Sequence, residues 1–199
     1  MNVSLRWLGA EGFTLRVGRR MLAIDPQLAL PWCDCILVSH GRMERLADVR
    51  SVARRTGAVV ACSAAACTLL ELLGLPARQV HAVMPGDTLS IAGFDIEVMP
   101  ASRADDSLGF RVCAGHISML TDSVGTGAAG TRADILLAGR QRRRNALTSI
   151  LRTVRPRLVV GYRQEAHVRR LAGAIRAAGI AARLFVPEIL RENDIRSLL

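Results

Sequence analysis

Cys35-Ile36-Leu37-Val38-Ser39-His40-Gly41-Arg42-Met43-Glu44-Arg45 is the stretch whose reading decides the fold. Cys35 to Ser39 reads as a short, fully buried strand, and from about Met43 the apolar period turns helical and lasts to Arg55, closed by Gly57. A polar loop with one histidine therefore joins a strand to a helix. Upstream, Ser4 to Leu8, Thr14 to Val17 and Arg20 to Ile24 read as strands, with Gly12 and Gly18 as turn residues. Downstream, Val59 to Cys62 returns to strand, and Ser63 caps a helix that runs to Leu73 and stops at Gly74, with Pro76 beyond.

From Val80 to Leu120 the pattern is strand-rich, punctuated by Pro85-Gly86-Asp87, Ala92-Gly93 and Ala114-Gly115 as hairpin turns. The last third alternates again: strand over Ala133 to Leu137, helix over Ala146 to Thr153, strand over Arg157 to Tyr162, helix over Val168 to Ala178, and strand over Arg183 to Val186. Two β-rich halves with helices outside predict a four-layer αββα sandwich with two mixed sheets face to face. No linker, repeat or composition break divides the chain, so 1–199 is expected to form a single domain.

Of the 199 residues, 50% are hydrophobic and 22% charged, enough to bury a core and too apolar for disorder. The longest uncharged stretch, Thr56 to Leu70, is too short to span a bilayer, and the first twenty residues carry no continuous apolar run; a soluble, cytoplasmic protein is expected. All 27 basic residues are Arg, against 17 acidic ones, for a net charge of +10. Such a chain attracts anions, although an Arg-only, Ala- and Leu-rich composition also fits a GC-rich coding bias. The five cysteines, an odd number in apolar runs, read as buried small residues. Cys33 and Cys35 are expected on one face of a strand, a pair that could hold a soft metal, but no second Cys/His pair at finger spacing accompanies them.

The segments Leu8-Gly9 through Gly12-Phe13, Ile24-Asp25-Pro26 and Ile36 to Gly41 resemble the opening of metallo-β-lactamase-fold hydrolases, in the branch similar to ascorbate-6-phosphate lactonase. Asp87-Thr88-Leu89, Met99-Pro100-Ala101, Gly109 to Val112, Thr121-Asp122-Ser123, Ala133 to Leu137 and Leu158 to Val160 match that family in the same order. The resemblance implies a loop of the form H-x-H-x-D-H, completed by a later His, an Asp and a final His, holding divalent metals that activate water. Here the first His is His40; the second and third are Arg42 and Arg45, and the Asp is Glu44. The later His aligns with Arg103, the bridging Asp with Asp122 and the final His with Arg163.

A guanidinium has no lone pair to give a metal and puts fixed positive charge where a dication would sit. The expectation is therefore a non-catalytic member of the fold with no metal cofactor. Its Arg42, Arg45, Arg103 and Arg163 would compensate buried Asp122 and Glu44, leaving a basic cleft for a small anionic ligand or a partner protein. Two alternatives stand beside it. One is a metal-dependent hydrolase using His40, Glu44 and Asp122, with Mn²⁺ or Mg²⁺ suiting two carboxylates better than Zn²⁺. The other is a nucleic-acid-binding module, supported by charge, including the run Arg140 to Arg144, but not by its 4% aromatics. His40 and Asp122 are the candidate catalytic residues; the plain readings are a hydrogen-bonded loop histidine and a salt-bridge acceptor. His81, His116 and His167 fall outside the motif and are expected to be surface or hairpin residues.

Overall fold

Strands without a polar face must be covered on both sides, and two sheets that meet face to face beneath outer helices meet that requirement. The computed structural model describes residues 2–101, 107–121, 130–139, 144–162 and 164–199. The first sheet holds β1 (Val3–Gly9), β2 (Gly12–Val17), β3 (Arg20–Ile24), β4 (Cys35–Leu37), β5 (Val59–Cys62) and β6 (Val80–Ala82). The second holds β7 (Thr88–Ile91), β8 (Phe94–Pro100), β9 (Leu108–Ala114), β10 (Ile117–Leu120), β11 (Ile135–Ala138), β12 (Leu158–Gly161) and β13 (Arg183–Phe185). A last strand, β14 (Glu192–Asp194), returns to the first sheet and pairs antiparallel with β1.

Each sheet starts as an antiparallel meander and continues in parallel, β3 to β6 in one and β10 to β13 in the other. Parallel neighbours need crossovers. Helices α1 (Met43–Thr56) and α2 (Ala64–Leu72) supply them after β4 and β5, and α3 (Arg144–Val154) and α4 (Glu165–Ala178) after β11 and β12. Alternation along the apolar strands sorts the core into layers: Cys35 and Leu37 face the second sheet, whereas Ile36 and Val38 face α1 and α2. Likewise Ile135 and Leu137 point inward, while Leu136 and Ala138 pack under α3 and α4. The expected αββα sandwich is the observed one.

Local signals set the boundaries. Ser63 accepts a hydrogen bond from the Ala66 N–H as the cap of α2, and Ala92-Gly93, with φ of 53° and 81°, makes the two-residue turn between β7 and β8. Two readings need correction, and one strand is additional. Cys33 and Cys35 do not share a face: β4 begins only at Cys35, so Cys33, outside the ladder, joins the helix-side layer while Cys35 joins the inter-sheet core. His167 is not at the surface but fully buried in the first turn of α4, with Nε2 2.9 Å from the Ala138 carbonyl oxygen. His81 and His116 are exposed, as expected. Finally, β14 has no apolar pattern and was not expected.

Gly12 lets the start of β2 lie against the end of β3: a Cβ there would fall 2.9 Å from the Asp25 carbonyl oxygen. Backbone cannot swing aside as a side chain can, so Gly12→Ala should destabilise the fold by about 1–3 kcal/mol. A thermal melt checks this. An unchanged Tm would contradict the close approach.

Candidate functional site

Three segments converge at the carboxyl ends of β3 and β4. Asp25 follows β3, His40 follows β4 by way of Val38 and Ser39, and Glu11 sits in the turn between β1 and β2, which the Trp7 indole N–H closes by donating to the Ala10 carbonyl oxygen at 3.2 Å. Phe13 pairs with Ile24 across β2 and β3, which brings that turn beside Asp25. Ligand atoms of Glu11, Asp25 and His40 lie within 4.8 Å of one another.

Asp25 organises this group. Its carboxylate is fully buried, and its backbone takes a left-handed φ of 42°, a conformation that Asp tolerates better than most residues. Ser39 supplies two donors, its N–H to Asp25 Oδ1 at 2.8 Å and its hydroxyl to Oδ2 at 2.5 Å. Burial pushes the Asp25 carboxyl above its usual range, opposed by His40 and by the Ser39 hydrogen bonds.

The Ser39 hydroxyl also lies 2.7 Å from His40 Nδ1. Its one proton is spent on Asp25, so Nδ1 carries the proton and donates to Ser39 Oγ. The lone pair of neutral His40 is then on Nε2. That atom faces away from Asp25 toward Glu11, whose Oε2 is 3.4 Å distant. A buried carboxylate thus fixes the tautomer and orientation of a half-buried imidazole, an arrangement that serves a metal ligand or a general base equally well. Glu11 is the residue that sequence reasoning missed: it stands in no motif, and only pairing of the strands brings it to His40.

Arg45, in the first turn of α1, places Nη2 3.8 Å from Glu11 Oε2, and its Nη1 is buried with no hydrogen-bond partner among the described residues. Arg42 is the exposed N-cap residue of α1, and Glu44 is exposed one residue into the helix. Glu44 is therefore not the buried carboxylate that the compensated-cluster reading requires; the carboxylate beside Arg45 is Glu11. Asp122, Arg103, Arg163 and 140–143 lie outside the described residues, as do the side-chain surroundings of Arg144. Beside the His40 loop, a cavity of about 340 Å³ has Ala64, Val83, Met84, Pro85 and Leu108 in its wall. Leu108 joins it to the loop, its N–H donating to the Ser39 carbonyl oxygen at 2.7 Å.

No protein-family model matches the chain. A "UPF0173 metal-dependent hydrolase" of Anaeromyxobacter dehalogenans is 34% identical over 142 residues, 65% of this chain and 48% of that protein. The chain spans about half the length of the curated relatives it matches. Among solved structures, the metallo hydrolase Igni18 of Ignicoccus hospitalis has a TM-score of 0.73 at 19% identity, with 97% of this chain and 98% of that one covered. The metallo-β-lactamase fold protein YhfI of Bacillus subtilis has a TM-score of 0.75 at 11% identity, with 97% and 99% covered. These structural likenesses show that the chain has the metallo-β-lactamase fold. No helix among the described residues is long and apolar enough to cross a membrane.

The relay from Asp25 through Ser39 to His40 predicts a tautomer switch. In Asp25→Asn the amide oxygen still accepts from the Ser39 N–H, but the amide nitrogen donates to Ser39 Oγ, freeing the hydroxyl proton to point at His40 Nδ1. Nitrogen-15 shifts of the imidazole should then report a proton on Nε2 instead of Nδ1. Retention of the Nδ1–H form would contradict the relay.

Proposed function

We propose that the chain is a metal-dependent hydrolase with a reduced site for a single divalent cation, centred on His40. The observation that carries this reading is the buried Asp25–Ser39 support, which leaves the Nε2 lone pair of His40 aimed at the carboxylate of Glu11. The names of the relatives agree with it. His40 Nε2 and Glu11 fit a cation as donors: one neutral imidazole and one carboxylate, 3.4 Å apart, which suits neighbouring ligands of one ion. Asp25 lies on the Nδ1 side, 4.0 Å from that nitrogen and occupied by Ser39, so its part is orientation. Glu11 takes the carboxylate role first given to Glu44, and Asp122 remains the third candidate donor. Mn²⁺ or Zn²⁺ bound there would polarise a substrate and acidify water. The apolar cavity beside the loop would receive an uncharged portion of the substrate.

A second reading has its own observation. The Arg45 guanidinium stands 3.8 Å from Glu11 and keeps one buried N–H group without a partner among the described residues, so it competes with a cation for Glu11 and offers a donor to an anion. On that reading the site is non-catalytic, with Arg42, Arg45, Arg103 and Arg163 forming a basic cleft for a small anion such as phosphate or for a partner protein. A nucleic acid has weaker support, from net charge alone.

Metal analysis after dialysis against Mn²⁺ and Zn²⁺ separates the two. The hydrolase reading expects about one equivalent per chain, lost in His40→Ala and in Glu11→Gln. No retained metal, together with a Tm that rises in millimolar phosphate and ceases to rise in Arg45→Ala, would overturn it in favour of the anion site.

A further inference from the structure

We infer that Cys62 and Cys67 form an oxidisable dithiol, a modification site for a peroxide, whose closure to a disulfide tightens the first turn of α2 against the loop that carries His40. The inference stands independently of the proposed hydrolase activity.

The two sulfur atoms are 3.0 Å apart. Cys62 is the last residue of β5 and Cys67 lies in the second half of the first turn of α2, so the pair spans the junction between strand and helix. Both backbones are held: the Cys67 N–H donates to the Ser63 carbonyl oxygen, and the Cys62 carbonyl oxygen accepts from the Val83 N–H, each at 2.9 Å. Reaching a covalent S–S separation of about 2.05 Å asks for a movement on the order of 1 Å. The other cysteines are placed differently. Cys33 Sγ is 3.0 Å from the Cys35 carbonyl oxygen while the Cys35 side chain turns to the opposite face of the sheet, and Cys113 belongs to the second sheet.

Chemistry orders the two thiols. Burial pushes both above the ordinary thiol range, so neither is a ready thiolate at neutral pH. Cys67, 7% exposed against 0% for Cys62, is the sulfur that a small oxidant reaches first. Its sulfur attacks one oxygen of hydrogen peroxide, the O–O bond breaks, and a sulfenic acid forms as the departing hydroxide takes the thiol's proton and leaves as water. The Cys62 sulfur then attacks the Cys67 sulfur, the S–O bond breaks, and the departing hydroxide takes the Cys62 proton as a second water. Two thiols are oxidised to one disulfide, and one peroxide is reduced to two waters.

The link to the site is a direct packing contact. A Cβ placed on Gly41 would lie 3.3 Å from Ala66 Cβ, so the residue after His40 rests on the helical turn that the disulfide would staple. In a linked protein that turn loses its freedom to fray, and the loop loses a movable support.

The test treats the full chain with hydrogen peroxide and reads intact mass, a non-reducing peptide map, a thermal melt and amide exchange. Expected are a loss of two hydrogens, a crosslinked peptide pair containing Cys62 and Cys67, a Tm rise of about 4–8 °C, and slower exchange over the 39–43 loop. All four changes should reverse with dithiothreitol. Cys67→Ser should show none of them, whereas Cys33→Ala should behave as the parent chain. Cys62 and Cys67 remaining separately alkylatable after treatment and unfolding, a gain of oxygen at Cys67 without a crosslink, or the same mass loss in Cys67→Ser would each overturn the dithiol. A crosslinked protein with unchanged exchange in the loop would overturn its coupling to the His40 segment.

Discussion

A carboxylate removed from water needs donors, and at the end of β3 the donors come from one residue of the neighbouring strand's extension. Asp25 is fully buried, and its two oxygens take the amide and the hydroxyl of Ser39. Left without them, a buried charge would cost several kcal/mol. The requirement holds Ser39, and with it His40, in place. It also explains the left-handed backbone at Asp25, since the chain must turn sharply after β3 to bring the side chain back across the end of β4. Gly12 completes the constraint by letting the turn that carries Glu11 approach the Asp25 backbone. One buried acid thereby positions three segments.

The layered fold was legible because the strands are apolar on both faces and the helices on one. Cys35 to Val38 and Ile135 to Ala138 declare burial on two sides, and Leu46, Val49, Val52 and Ala53 declare the inner face of α1. What lacked such a signal was not legible. The three-residue strand β14, Glu192-Asn193-Asp194, is held by pairing to β1 and by a hydrogen bond between Ser4 and Glu192, none of which leaves an apolar pattern. His167 was misplaced for a related reason. With Glu165, Arg169 and Arg170 close by in the sequence it reads as a polar-face residue, but the phase of α4 turns it toward the core, where the Ala138 carbonyl oxygen gives it a polar contact.

The distribution of arginine around the site also depends on backbone geometry more than on composition. A net charge of +10 describes the whole chain, yet Arg42 points into solvent while Arg45 approaches Glu11. The first contributes to a long-range field that salt screens, and the second to a partly desolvated contact that salt screens much less. Glu11 therefore stands between an imidazole lone pair and a guanidinium, and a cation at His40 and the Arg45 charge draw on the same carboxylate.

Helix phase accounts for the exchange of Glu44 for Glu11. A motif written as spacing carries its ligands only if the loop enters the following helix at the right rotation. In this chain the rotation of α1 is set by Leu46, Val49, Val52 and Ala53, which face the sheet. At about 100° per residue, position 44 lies roughly 200° from position 46 and faces away from the sheet, whereas position 45 lies at the border of the buried face. Glu44 is accordingly exposed and Arg45 half-buried. The resemblance put Glu44 beside His40, but the same apolar residues that secure α1 to the sheet turn it outward. The carboxylate facing Nε2 comes from a different element, the turn between β1 and β2, which the pairing of Phe13 with Ile24 carries to the ends of β3 and β4.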